Sequence, residues 1–277
     1  MSLVNRKPQR GVRLQPLEAI GGYPVRPGFY SRDGAVATFN GVSFTIHSIG
    51  ATSCTLLLFH PQEKKPYAKL KFPEAYRIGN TYSMLVFGLK IDEFEYAFEM
   101  DGPYDKAKGL LFDRKNVLLD PYAKAVTGQR NWGESPEEGK DFVYHARVVE
   151  NNFDWGISPH LEIPTEDMII YELHVRGFTK DESSGVDAKG TFEGLRQKIP
   201  YLKDLGVNAV ELMPIFEFDE MESARKVDGE QLYNYWGYNT VCFFAPNTSY
   251  SPVVEHNHEG EELKQLIYDL KENGIEA

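Results

Sequence analysis

Aromatic and amide side chains alternate in residues 233–239, and this stretch has the residue types that a ligand site needs. It contains four rings and two amides, in the order Tyr233, Asn234, Tyr235, Trp236, Tyr238, Asn239. The apolar face of a sugar can lie on an aromatic ring while amides hydrogen-bond its hydroxyl groups. Core packing would explain the rings but not the interleaved amides. Composition alone leaves sugar binding and packing equally open.

Other polar residues fall on predicted strands. Glu172, His174 and Arg176 alternate along the first strand of the second half, and Glu211 lies on the next strand. Alternation places side chains on one face, where they could take part in chemistry. Polar groups that pair with one another inside a sheet or at its ends are more common. We therefore expect these four residues to be structural.

A histidine-rich segment raises the question of a metal. His256 and His258 lie close to Glu255 and Glu259. A charged loop before a helix explains the same residues, and no tetrahedral ligand set is evident. The sequence therefore predicts no metal site and no cofactor.

The second half of the chain has the pattern of parallel βα units. Residues 168–175 are predicted to form a strand that is buried on both faces. Thr191 is a predicted cap of a helix that Pro200 kinks or splits and that ends at Gly206. Residues 207–213 form a second predicted strand, and a further amphipathic helix covers residues 259–273. A strand, a crossover helix and a second strand indicate a parallel sheet.

The first half of the chain has a different pattern, of short strands without helices. Six strand-like runs separated by turns are predicted at residues 35–40, 42–46, 54–59, 68–72, 82–87 and 94–100. Such spacing is typical of an antiparallel, immunoglobulin-like β-sandwich. The first thirty residues are rich in Gly and Pro and are predicted to be a turn-rich opening without an element. A further strand is predicted at 142–149, and the boundary between the halves is expected between Thr127 and Pro164.

Composition excludes several classes of partner. The 277 residues have a formal net charge of -11, which disfavours nucleic acid and anionic membranes. Cys54 and Cys242 lie in separate apolar runs and are expected to be buried, reduced thiols. No secretory signal is evident in the N-terminal residues. A cytoplasmic protein with a neutral ligand is predicted.

Several motifs together resemble a known family. They are YELHVRGFT (171–179), GTFEGL (190–195), IPYLKDLGVNAVELMPIFEF (199–218), NYWGYNTVCFFAPNTSY (234–250) and LKENGIE (270–276). Their order is similar to the start of the catalytic barrel of the α-amylase superfamily, in its isoamylase and glycogen-debranching branch. Upstream, DGPYD, GLLFD and NVLLDPYAKA resemble the carbohydrate-binding-module-like sandwich of that branch.

The resemblance implies a multidomain fold. The expected parts are an N-terminal extension (1–27), the sandwich (28–130), a linker (131–164) and the first βα units of a (β/α) TIM-type barrel (165–277). In the family the catalytic carboxylates lie on later strands, so the resemblance implies a truncated barrel without catalytic residues. The exposed edges of such a fragment are expected to favour self-association.

The resemblance also implies a function. By this resemblance the chain is the N-terminal part of a retaining glycosidase that hydrolyses α-1,6 branch linkages in glycogen or starch-like glucans. Tyr238 matches the family tyrosine that stacks on the sugar at the cleavage point, with Trp236 and Asn239 as neighbouring substrate-binding candidates. A glucan-branching transferase is the alternative, which NYWGYNT disfavours, and a non-catalytic glucan-binding protein is a third hypothesis.

The sandwich itself is expected to be mainly structural. Glucan-binding modules commonly use exposed Trp platforms, and the first tryptophan of this sequence is Trp132. Tyr67 and Tyr76 are the candidate substitutes.

Overall fold

A computed structural model describes residues 14–127, 144–150, 152–156, 160–222, 224–251 and 260–277. The first part consists of short strands: β1 Glu18–Ile20, β2 Tyr23–Pro27, β3 Gly34–Thr38, β4 Gly41–His47, β5 Ser53–Phe59, β6 Ala68–Lys71, β7 Arg77–Ile78, β8 Thr81–Phe87, β9 Glu95–Asp101, β10 Tyr104–Asp105, β11 Leu110–Leu111, β12 Ala125–Thr127 and β13 His145–Arg147. All their pairings are antiparallel.

Two sheets form the predicted sandwich. One has the order β1-β2-β8-β4-β3, with β7 also paired to β8, and the other has the order β12-β13-β9-β5-β6. Alternate residues of their inner faces meet in one core, because side chains on a strand point to opposite faces in turn. Phe44 of the first sheet packs edge-to-face on Tyr96 of the second, with ring centroids 5.0 Å apart. The all-β prediction for the first half is confirmed.

Two expectations about the edges of the sandwich need correction. The opening residues are not free of elements, since β1 and β2 form a hairpin and β2 pairs with β8. Gly21 and Gly22 make the hairpin turn, so residues that suggested an unstructured opening in fact connect two strands. At the other end, the predicted linker 131–164 contains β13, which pairs with β9 and β12 of the sandwich.

The second part carries the βα units. Its elements are β14 Ile170–Leu173, α1 Val175–Thr179, α2 Phe192–Arg196, α3 Ile199–Leu205, β15 Ala209–Leu212, β16 Phe216–Phe218, β17 Arg225–Val227, β18 Glu230–Leu232, β19 Thr240–Pro246 and α4 Glu261–Glu272. β14 and β15 pair in parallel, as predicted. The Thr191 hydroxyl accepts from the Gly194 N–H and caps α2, and Pro200 lies in the first turn of α3 after a break in the helix.

The first predicted strand differs from the expectation in length and burial. β14 ends at Leu173, because the His174 side chain accepts from the Gly177 N–H and starts α1. Ile170, Tyr171 and Glu172 are exposed, so the prediction of a strand buried on both faces is wrong. The strand pairs only with β15 within the part of the chain that the structure describes.

The α/β part has a small core of its own. Leu266 and Leu270 of α4 are fully buried in it, and α4 packs on α2. Arg196 donates from Nε and Nη2 to Asp269 Oδ2 at 2.7 and 2.6 Å, which ties the two helices together. Across the described residues, no helix has both the length and the apolar character required to cross a membrane.

The two parts touch through β19. Cys242 and Ala245 of this strand belong to the core cluster of the sandwich, and Cys242 Sγ donates to the Ala123 carbonyl at 3.2 Å. The rings of Tyr122 and Phe244 stack beside them at 5.6 Å. Cys54 and Cys242 are free and buried, as expected. Because β19 follows the aromatic segment directly, its packing fixes one end of that segment.

Candidate functional site

The aromatic segment 233–239 forms a surface loop between β18 and β19, and its rings have two different environments. Tyr238 is 68% exposed and Trp236 is 55% exposed, and Asn239 is exposed beside them. Tyr233 and Tyr235 are half-buried. Packing against His174 accounts for Tyr235, whereas Tyr238 and Trp236 present open ring surface to solvent.

His174 holds the middle of this loop. Its ring stacks on Tyr235 at 4.3 Å and 11°. Since Nδ1 accepts from the Gly177 N–H, the proton of the neutral ring lies on Nε2, which donates to the Tyr235 carbonyl at 2.9 Å. Burial lowers the pKa of His174 and keeps the ring neutral. This histidine positions the loop, in agreement with the structural role expected for it.

Gly237 makes the bend that separates the two exposed rings. Its φ is 79°, in the left-handed region, and a Cβ there would lie 2.5 Å from the Phe218 ring. Any other residue would push the loop off β16. The glycine therefore lets the backbone rest on Phe218 while Trp236 and Tyr238 stay at the surface.

Buried polar contacts fix the far end of β19. Ser249 Oγ donates to Glu220 Oε1 at 2.7 Å, and Arg176 Nη2 donates to Ser249 Oγ at 3.0 Å. The Thr248 N–H donates to Glu217 Oε2 at 2.7 Å. Burial raises the pKa of Glu217 to about 8. Arg176 therefore supports the loop from α1 and does not share a strand face with Glu172, contrary to the predicted alternation.

Glu172 and Glu211 lie elsewhere. They are in register on β14 and β15 and are exposed, so the structure does not place them with the aromatic loop. Of the predicted substrate-binding residues, it brings Tyr238, Trp236 and Asn239 together because they are neighbours in one ordered loop.

A hairpin beside the loop is absent from the sequence prediction. β17 and β18 pair with Val227 opposite Glu230, and Asp228 and Gly229 form the turn at φ 52° and 89°. Two consecutive residues with positive φ form a tight hairpin turn, which the sequence Asp-Gly favours. This dipeptide is therefore the sequence feature from which the hairpin could have been predicted. Together with the loop, the hairpin lines a cavity of about 490 Å³ that includes Asn239.

Metal ligands are not grouped in the described ranges, where no cluster of three or more His, Cys, Asp or Glu residues could hold an ion. Glu255, His256, His258 and Glu259 lie outside the described residues.

In the sandwich, Tyr76 is buried and cannot serve as a sugar platform, so that suggestion is wrong. Tyr67 remains partly exposed and stacks on His60 at 4.3 Å.

Comparisons with known proteins agree with both parts of this fold. Residues 30–123 match the family described as carbohydrate-binding module 48, the isoamylase N-terminal domain, and residues 171–277 match the α-amylase catalytic domain. The pullulanase from Paenibacillus barengoltzii has the same fold, with a TM-score of 0.68 and 24% identity over 88% of this chain and 36% of that chain. The sandwich therefore matches the N-terminal module of isoamylases, and the βα units match the class of α-amylase-type catalytic domains.

Curated relatives narrow this class. Isoamylase 1, chloroplastic, of Arabidopsis thaliana is 34% identical over 90% of this chain and 34% of its own length. Isoamylase 3, chloroplastic, of Oryza sativa subsp. japonica is 37% identical over 86% and 32%, and the glycogen debranching enzyme of Serratia proteamaculans is 30% identical over 91% and 39%. The chain is therefore similar, over about nine tenths of its length, to isoamylases and glycogen-debranching enzymes. It spans about a third of the length of these relatives.

Proposed function

We propose that these residues are the N-terminal part of a retaining glycosidase that hydrolyses α-1,6 branch linkages in glycogen or starch-like glucans. The observation that carries the proposal is the succession, in one chain, of an isoamylase N-terminal module and the start of an α-amylase catalytic domain. Relatives that align over about nine tenths of this chain carry isoamylase and debranching names. The substrate of the whole protein is then a branched α-glucan.

In this proposal Tyr238 is the stacking platform for the sugar at the cleavage point. Its ring is exposed, and the Gly237 bend and the His174 contacts hold its loop in place before substrate arrives. Preorganisation of this kind lowers the entropic cost of binding. Trp236 and Asn239 flank Tyr238 and supply an apolar face and an amide.

The two reacting carboxylates would be supplied by later barrel strands. Retaining hydrolysis needs a nucleophile and an acid placed on either side of the bond, and residues 1–277 are expected to lack both. We assign the sandwich a mainly structural role, supported by the contacts of Cys242 and Phe244 with it.

The test uses the whole gene product on amylopectin and counts both reducing ends and branch points. Hydrolysis of branches raises the reducing-end count and lowers the branch count. A branching transferase would raise the branch count at constant reducing ends, and a non-catalytic binding protein would change neither, so either result would overturn the proposal. Residues 1–277 alone serve as the matched control and are expected to release no chains.

We further propose a cytoplasmic location, with no cofactor, nucleic acid or membrane as partner. Two buried free thiols and the net charge of -11 support these assignments. Cell fractionation with an antibody against the sandwich tests the location, and recovery of the protein in an organelle would contradict it.

A further inference from the structure

We propose that the cavity between the β17–β18 hairpin and the aromatic loop binds an outlying glucose unit of an α-1,4-linked glucan chain. The inference rests on the proposed function, because it takes the substrate class from there, and it adds a second sugar site beside Tyr238. The volume of about 490 Å³ lies within the range of roughly 300–1,000 Å³ that small-molecule sites span.

The walls of the cavity have the chemistry of a carbohydrate site. They combine rings, amides and one charge of each sign: Glu222, Arg225, Gln231, Leu232, Tyr233, Asn234, Tyr235 and Asn239. Sugar hydroxyl groups both donate and accept hydrogen bonds, so they need donors such as Arg225 and acceptors such as Glu222. Because the two charges balance, the cavity suits a neutral polyhydroxylated ligand better than an ion.

The amides of the cavity are held in place by backbone carbonyls. Gln231 Nε2 donates to the carbonyl of Arg225 across the hairpin at 3.3 Å and to the carbonyl of its neighbour Leu232 at 3.1 Å. Asn234 Nδ2 donates to the Asp219 carbonyl at 3.2 Å, and its backbone N–H donates to the Glu220 carbonyl at 2.8 Å. With the amide nitrogens used in this way, the side-chain oxygens are oriented as acceptors before a ligand binds.

The position of the cavity connects it with the cleavage point. Asn239 lines it and is the direct neighbour of Tyr238, and Tyr235 is fixed by its stack on His174. In this proposal one glucan chain lies across both, from the Tyr238 ring to the cavity that begins at the next residue of the loop. The hairpin then acts as a specificity element, since it engages only chains long enough to reach it.

Matched pairs of variants test the site by calorimetric titration of the whole protein with maltohexaose, a linear α-1,4-linked chain without a branch linkage to cleave. Arg225 lines the cavity, whereas Lys226, next to it on β17, does not. Gln231 lines it, whereas Glu230 does not. We expect Arg225→Ala and Gln231→Ala each to weaken binding by about tenfold, as for loss of one hydrogen bond, and Lys226→Ala and Glu230→Ala to leave it unchanged.

Equal affinity of all four variants and the parent chain, or no binding of maltohexaose by the parent chain, would overturn the proposal. Amide hydrogen exchange with saturating maltohexaose is a second measurement that needs no variant. Protection of residues 225–235 is expected, and binding without protection there would also overturn it. These readouts involve no bond cleavage, so a failed hydrolysis test of the whole protein would be a separate result.

Discussion

The sandwich and the α/β part bury their apolar residues in different ways. In the sandwich, two sheets face each other, and Phe44, Leu56 and Tyr96 are fully buried between them. In the α/β part, β14 has one parallel neighbour among the described strands, and Ile170 on it is 59% exposed. Phe243 on β19 is 63% exposed. Each sheet of the sandwich thus has its inner face covered by the other sheet, with Cys242 and Ala245 of β19 added to the core, whereas β14 leaves apolar strand surface open.

The largest expected difference between the two regions is in association. Residues 14–150 expressed alone should be monomeric, because the two sheets cover each other's apolar inner faces. Residues 1–277 should self-associate or bind hydrophobic dyes, because Ile170, Phe243 and Phe244 add exposed apolar surface. Size-exclusion chromatography with light scattering measures the outcome. A monomer of residues 1–277 that melts in one transition without dye binding would contradict this prediction.

Truncation of one side chain in each region tests the same contrast in stability. Phe44→Ala should lower the free energy of unfolding of the sandwich by about 3–5 kcal/mol, since it leaves a cavity next to Tyr96. Ile170→Ala, on exposed surface, should change the stability by less than about 1 kcal/mol. Urea denaturation of residues 1–277 measures both. Similar losses would show that β14 is buried in solution.

Local patterns predicted the sandwich better than the site. Val42, Phe44 and Ile46 alternate along β4, and all three lie in the core, so a period of two was sufficient. The same logic failed at Val175, a strand-forming residue, because the side chain of His174 caps α1 there. In the loop, four similar rings have different environments. The contact that buries Tyr235 comes from His174, 61 residues away, which no local pattern shows.

Exposed tyrosines in the two regions should differ in function. In the whole protein, Tyr238→Ala is expected to lower kcat/KM on branched glucan by about 100-fold, the loss typical of a misplaced reacting group. The melting temperature should change little, because the ring is exposed, and Tyr238→Phe should be mild, because it keeps the stacking face. Tyr104, 63% exposed on the sandwich, is the matched control, and Tyr104→Ala should leave kcat/KM unchanged. Equal losses at both positions would show that the sandwich also engages substrate.

The last expected difference concerns the pH dependence of stability, which depends on one buried carboxyl group in each region. Burial raises the pKa of Asp120, at the exit of the sandwich, to about 6, and that of Glu217, under the aromatic loop, to about 8. Both folded-state pKa values lie above those of the unfolded chain, so the folded state holds these protons longer. Stability is therefore lost as pH rises from the unfolded pKa to the folded pKa and stays constant above it.

The two carboxyl groups titrate in different pH ranges, so the pH at which stability changes shows which region is responsible. From about pH 7 the contribution of Asp120 is nearly constant, whereas Glu217 should continue to lower stability up to pH 8, by at most about 1.4 kcal/mol per pH unit. Urea midpoints at pH 7 and pH 8 measure the slope. Glu217→Gln, which keeps an acceptor for the Thr248 N–H, should flatten it, and Asp120→Asn should leave it unchanged. If Asp120→Asn flattens the slope instead, the carboxyl that titrates in this window lies in the sandwich, and the α/β part does not carry the pH dependence.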